Sequence, residues 1–426
     1  MSNPGSGLRI ALVSSSFTRD GAEKQFFYIC RSLGEAGTNA RVYCYGPAGY
    51  FSQALRSANI PVTDVYCPGQ RLSMLFRLSR SLRVFRPHIV LGCQFGDAFY
   101  GGIAGRLCGS LVIMGVRSNG FAEMAAHRRR APWMLRLTHA LIANSWSARN
   151  NLMRLGVAPQ RIQVLPNVID LEVFDQQSLR PFSLPLAPGR IVVATVGRLN
   201  QSAKRQDRFL RAVALARRTV PELAGLIAGR DEGAGESLVR QAKALGLLPD
   251  GLLLLPETDQ VPALLRQVQI LALTSDYEGF PNVVLEAMAA RLPVVATPVG
   301  DVPGIVEHER SGYVVDFEDV GGMAQRFVEL ARSPGLRHQF GQAGRRRVEQ
   351  DYALTELSDR LFGILGTFAA QSQRSALLRL LKTTGPTTRT CPEPPLFTSG
   401  RGDRLHLPGS RPLAESGLHE LQEWKR

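Results

Sequence analysis

Short apolar runs of strand length alternate with amphipathic stretches of helical period along most of the chain. Residues 8–15, LRIALVSS, read as a buried strand; a helical run from Ala22 to Gly37 follows, then ARVYCYG. HIVLG, SLVIMGV, ALIANS and IQVLP continue the first half. The second half repeats the pattern: RIVVATVG, a helix near 206–219, then AGLIAG, GLLLLP, QILALTS, LPVVATP and GYVVD. Strands this apolar, separated by helices and short Gly/Pro connections, predict parallel sheets covered on both faces. The expected fold is α/β: two Rossmann-like, doubly wound parallel-sheet domains facing a cleft. Such sheets bind ligands at the C-terminal ends of their strands, so the cleft is the expected site.

The pattern breaks twice. DQQSLRPFSLPLAPG, residues 175–189, has three prolines and little periodicity, and reads as an interdomain linker. It separates a first domain over 1–180 from a second over 181–370, whose last helix, about 352–370, can cross back to the first. Beyond about residue 383 Pro, Gly, Ser, Thr and Arg dominate, which predicts a disordered basic tail over 383–426.

Charge sharpens this division. Of the net +15, residues 1–180 carry +12, residues 181–370 carry −1 and the remainder +4. A basic first domain attracts anionic surfaces such as lipid phosphates. In RLSMLFRLSRSLRVFR (71–86), helical spacing puts Leu72, Leu75, Leu78, Leu82 and Phe85 on one stripe, with Arg77, Arg80 and Arg83 opposite. His127 is followed by Arg128, Arg129, Arg130 and then Trp133, a combination suited to a membrane interface. A solvated arginine face explains both segments equally well. No apolar run approaches the roughly 18–20 residues of a membrane span, and the N-terminus lacks the features of a secretory signal. The six cysteines, at 30, 44, 67, 93, 108 and 391, have no zinc spacing and no C-x-x-C pair. Reduced thiols and a cytoplasmic protein, peripheral on the inner face of a membrane if the basic domain docks there, are expected.

The segment richest in chemistry is LALTSDYEGFPNVVLEAMAARLPVVATPVGDVPGIVEHERSGYVV, residues 271–315. A buried strand leads to a turn, and a helix starts with Pro281, a residue suited to the first helical position. Gly279 allows close backbone approach to a ligand. The free N–H groups of the first turn and the helix dipole suit an anion such as a diphosphate. Glu278 precedes the helix. Glu286 lies inside it, its side chain leaning back toward the same end. Carboxylates at these two places can accept from hydroxyls at the two ends of a sugar nucleotide. On spacing alone a capping acid and a solvent-exposed glutamate are equally good readings.

EGFPNVVLEAMA is a Glu-x7-Glu motif that resembles the signature of the retaining glycosyltransferases of family 4, which have the two-domain GT-B fold. The resemblance covers about residues 8–370. It implies that Glu278 contacts the donor sugar and Glu286 the ribose. The backbone amides of Phe280, Asn282 and Val283 would meet sugar and phosphate oxygens. TVGRLNQSAKRQ resembles the family's leaving-group clamp, which makes Arg198 and Lys204 the cations that neutralise the departing diphosphate. Arg205 beside them reads as solvated. DGAEK (20–24) resembles the glycine loop before the first helix, with Asp20 for the first glycine; Gly21 would approach the diphosphate or the acceptor. LPNVID (165–170) resembles a structural stretch with Val168 for glycine.

Three departures stand out. The histidine that many members carry after the strand SLVIMGV is absent; Arg117 and Asn119 are the candidates there for holding the acceptor or donor. His127 lies too far on and is expected to face solvent. Arg291 stands in place of a glycine, and Gln269 in place of an aspartate. No Asp-x-Asp motif is present, so the expected reaction needs no metal and no cofactor beyond the nucleotide sugar, a UDP-sugar by analogy. The base would lie near Gly229-Arg230-Asp231. The acceptor is expected to be a lipid-linked or polysaccharide precursor, with no nucleic acid as partner. A sugar-nucleotide epimerase on the same fold and a non-catalytic basic binding module are the alternatives.

Overall fold

The structure is a computed structural model that describes residues 7–385 except 19, 48 and 201; residues 386–426 of the expected tail, and Cys391, lie outside the described residues. Strands β1 (Arg9–Ser14), β2 (Asn39–Cys44), β3 (Val62–Asp64), β4 (Ile89–Gly92), β5 (Leu111–Val116), β6 (Ala140–Ala143) and β7 (Ile162–Val164) make one sheet, ordered β3-β2-β1-β4-β5-β6-β7. Strands β8 (Ile191–Val196), β9 (Leu223–Ala228), β10 (Leu252–Leu255), β11 (Ile270–Leu273), β12 (Val294–Ala296) and β13 (Gly312–Val314) make a second, ordered β10-β9-β8-β11-β12-β13. Every pairing is parallel. The strand order reverses between β1 and β4 and again between β8 and β11. Beyond the strand ends at such switch points a crevice opens for ligands. Strand β3 went unread in the sequence because it is three mostly exposed residues at a sheet edge, where burial imposes no pattern.

The second sheet is covered on both faces. Val192 and Ala194 point to a core with Val284, Leu285 and Met288, while Val193 points to one with Phe209, Val213 and Phe327. The residues expected to be a linker begin as helix: Leu171–Ser178 is capped by Asp170, which accepts from Val173 N at 3.2 Å. Phe174 packs in the second core, and Asp175 takes a bidentate pair from Arg345, both at 2.7 Å. The linker proper is therefore shorter than its proline content suggested.

The chain crosses between the sheets twice, and the two crossings pair with each other. Ile169 N donates to Tyr352 O at 2.8 Å, and Leu354 N to Ile169 O at 2.9 Å. Helix Leu357–Gln371 then buries Leu361, Phe362, Leu365 and Phe368 in the core beneath the first sheet, beside Ile10, Phe26 and Ile29. Helix Arg71–Phe85 buries Met74, Leu78, Leu82 and Phe85, but leaves Leu72 83% exposed. The buried stripe is rotated: Met74, one helical turn before Leu78, is buried and Leu75 only half-buried. Arg291 sits at φ +59, the left-handed region where glycine costs least, which explains why a glycine is usual there. Gln269 takes over from the usual aspartate by accepting from Val192 N at 2.8 Å. Among the described residues no helix is long and apolar enough to cross a membrane.

Truncating Leu361 to alanine removes a fully buried side chain and should cost about 2–5 kcal/mol. Urea unfolding checks this; unchanged stability would mean that the crossing helix is not part of the first core.

Candidate functional site

The site is built around the β8/β11 switch point. Arg208, fully buried, donates to Thr274 O at 2.7 Å, to the Asp276 carboxylate at 3.0 Å and to Glu318 at 3.3 Å. Arg205, left-handed at φ +48, spans Asp207 at 3.0 Å and Asp276 at 2.8 Å. It is not the solvated residue expected: its side chain is 20% exposed, because two aspartates face it. Two further bonds tie the loops after β8 and β11, Asp276 N to Ala203 O at 2.9 Å and Thr274 Oγ1 to Lys204 O at 3.0 Å. Together they deliver the Lys204 ammonium to Glu278 at 2.6 Å, and Ser275 Oγ donates to the same carboxylate oxygen at 2.7 Å.

Pro281 is the N-cap rather than the first helical residue, and helix Asn282–Ala289 follows. No side chain caps that helix, so its leading amides point into the crevice with the positive end of the dipole. Phe280 is buried against Tyr352, and Val283 packs at the edge of the second core. Arg198 bonds Glu232 at 3.2 Å and is more than half exposed. Arg230 lies within 3.5–3.9 Å of Asp20, Glu232 and Glu257. With Leu199, Asp231, Gly235 and Leu255 it lines a groove of about 440 Å³ at the ends of β8, β9 and β10.

The first domain closes over this site. A Cβ on Gly21 would meet Asn282 Nδ2, so this glycine makes room for a side chain of the other domain. Asn282 Oδ1 in turn accepts from Asn167 at 2.8 Å and Gln25 at 3.5 Å. A Cβ on Gly279 would come within 2.8–2.9 Å of the Arg117 and Ser118 backbone; the close neighbour is the loop after β5. Lys24 reaches across to Glu286 at 2.9 Å. Asp301, after β12, accepts from Trp146 N at 2.8 Å and Ser147 N at 2.9 Å, the first two amides of helix Trp146–Arg154. Burial pushes the Asp301 carboxyl up to about 6.

The loop after β5 is committed to its own structure. Glu123 accepts from Arg117 N at 3.0 Å and Ser118 N at 3.2 Å. The Arg117 guanidinium folds under, donating to Cys93 O at 3.3 Å, and Asn119 Oδ1 accepts from Ala122 N at 2.9 Å. His127 does not face solvent as expected. It packs edge-on to Phe95, ring centroids 5.7 Å apart, and burial lowers its pKa. Lys24, Asp301 and Arg208 were missed in the sequence. Each earns its place through a partner 66 or more residues away, and only the DGAEK context hinted at Lys24.

Two parallel sheets facing one another across a closed cleft, with the helix N-terminus at a switch point, define the GT-B fold. A protein from Anabaena, HepE, crystallised with UDP and glucose, has the same fold with a TM-score of 0.71 at 17% identity, covering 86% of this chain and all of that one. A glycosyltransferase from Rickettsia africae matches with a TM-score of 0.67 at 13% identity, over 88% and 99% of the two chains. The family models Glycosyltransferase Family 4 and Glycosyl transferases group 1 match residues 19–173 and 176–347. The chain belongs to this glycosyltransferase family. Among curated relatives, the D-inositol 3-phosphate glycosyltransferase of Salinispora arenicola is 34% identical over 226 residues, 49% of this chain and 50% of that protein. The one from Mycolicibacterium smegmatis is 36% identical over 205 residues, 46% of each. The chain thus spans about half the length of the curated relatives it matches.

Asp301 makes stability depend on pH. Its folded pKa, about 6, lies above the ordinary 3.8. Its contribution is therefore greatest below pH 3.8, falls as pH rises toward 6, and is level above. In Asp301→Asn this part of the pH profile, on the order of 2 kcal/mol, should vanish from thermal melts between pH 4 and 7. An unchanged profile would mean the carboxyl is not buried between the domains.

Proposed function

We propose that the chain is a retaining glycosyltransferase that moves a sugar from a UDP-sugar to a hydroxyl acceptor. The observation that carries this is the pair of carboxylates, Glu278 and Glu286, at an uncapped helix N-terminus with Lys204 2.6 Å from the first. In this reading Glu278 accepts from donor-sugar hydroxyls and Glu286 from the ribose. The diphosphate meets the amides of Phe280, Asn282 and Val283 together with Lys204 and Arg198, and the base enters the groove at Arg230. The UDP and glucose held by the Anabaena protein support UDP as the carrier. The acceptor enters from the β1/β4 side and its hydroxyl oxygen bonds to the anomeric carbon on the face that the nucleotide leaves. The bond from that carbon to the phosphate oxygen breaks, and the departing phosphate takes the hydroxyl proton. Lys204 stabilises the charge that builds on the leaving group, so no metal is required.

A lipid-linked or polysaccharide precursor suits the basic first domain as acceptor. Helix Arg71–Phe85 exposes Leu72, Phe76 and Val84, at 83%, 67% and 80%, among Arg77, Arg80 and Arg83. Apolar side chains ringed by arginines match an anionic bilayer surface. Arg128, Arg129 and Arg130 are exposed as well, and Trp133 is 40% exposed, packed on Phe99.

Glu278→Ala and Glu286→Ala should each abolish or greatly reduce transfer with the fold intact. Lys204→Ala should cost roughly 2–4 kcal/mol of transition-state stabilisation, and wild-type turnover should survive EDTA. Radiolabelled-donor assays decide; near-normal turnover in a glutamate variant, or activity lost in chelator and restored by magnesium, contradicts the reading. The chain should also co-sediment with anionic liposomes at low salt and release at about 1 M, where the Debye length is about 3 Å. Arg128/Arg129/Arg130→Glu should bind less. Wild type that ignores anionic liposomes makes the acceptor a soluble one.

A further inference from the structure

Lys24 opens no chemistry in the proposed reaction, yet from the first domain it reaches one of the two signature carboxylates of the donor site. It lies in the first turn of helix Gly21–Glu35, and its ammonium is 2.9 Å from Glu286 Oε1, with side chains 34% and 16% exposed. The Glu286 carboxylate raises the Lys24 pKa above the ordinary value, against the effect of burial. An exposed ion pair contributes little; this one is largely withdrawn from water and bridges two domains.

The helix does not need Lys24 to hold its place. Gln25 exchanges two bonds with the Val168 backbone, at 2.8 and 2.9 Å, and Arg31 pairs with Asp170 at 2.9 Å. The lysine's contact therefore acts on Glu286 rather than on the fold. A carboxylate offers about four lone-pair sites, and one ammonium takes one of them. The remainder, including Oε2, are left to neutral hydroxyl donors.

We propose that Lys24 is a positioning residue for the donor: from the acceptor domain it sets the Glu286 carboxylate for the ribose hydroxyls, so the donor site is complete only when the two domains are closed. This rests on the reading of Glu286 as the ribose ligand. By linkage, donor binding then favours closure as much as closure favours donor binding.

The test uses the full chain, with UDP as the binding probe and steady-state kinetics with UDP-glucose and other UDP-sugars. Lys24→Gln should raise the donor KM about tenfold, the scale of coupling between contacting side chains, and raise it more than it lowers kcat. The acceptor KM should stay put. Lys24→Arg should restore most of the donor KM, and Lys24→Gln with Glu286→Gln should bind UDP no worse than Glu286→Gln alone. A merely structural lysine would lower thermal stability without this split and without rescue by arginine. If wild type is stabilised by UDP but Lys24→Gln matches it in donor KM, or the two substitutions add, the proposal for Lys24 is overturned and the donor reading stands. If UDP and UDP-sugars neither stabilise wild type nor turn over, the donor reading falls, and Lys24 with it.

Discussion

The site depends on one buried guanidinium. Arg208 is wholly withdrawn from water, and a buried charge left unpaired costs several kcal/mol. Its two terminal nitrogens find partners in Thr274 O, Asp276 and Glu318, which requires the end of β11 to lie against the segment that follows β8. Arg205 draws the same aspartate from the other side. With those two loops clamped, the backbone at Ala203 and Lys204 is fixed by Asp276 and Thr274, and the Lys204 side chain reaches Glu278. The lysine and the glutamate of the proposed chemistry thus owe their meeting to a residue that touches neither.

The second feature is that each signature carboxylate already has an ammonium beside it, Lys204 at Glu278 and Lys24 at Glu286. One ammonium comes from the same domain and one from the other, so in the proposed reading the two ends of the donor depend differently on closure. Asp301 reinforces closure by capping a helix of the opposite domain. The cap is a sound one physically, because the first amides of a helix lack partners of their own.

Sequence periodicity reached the architecture because both sheets are buried on two faces. Runs such as IVVATV and LVIMGV have no alternation, and that uniform apolarity is what a covered parallel strand produces. Glu278 and Glu286 were legible because they lie eight residues apart on one local unit, a strand, turn and helix. Lys24 and Asp301 were not, since their partners are set by how two domains meet. Gly279 shows the limit of a correct residue read for an incomplete reason: its small size was assigned to a ligand, and the loop at Arg117 and Ser118 fills that space. His127 and Leu72 went astray similarly. A half-buried ring on Phe95 and a helix rotated to bury Met74 depend on neighbours that no helical wheel contains.

Hydrogen–deuterium exchange of the full chain with and without UDP tests the central claim most directly. Binding at the uncapped helix and the adjoining groove predicts slowed exchange over residues 280–285 and 229–235, with the first-sheet strands unaffected. No protection at saturating UDP, or protection confined to the first domain, would contradict the placement of the donor in the second half of the chain.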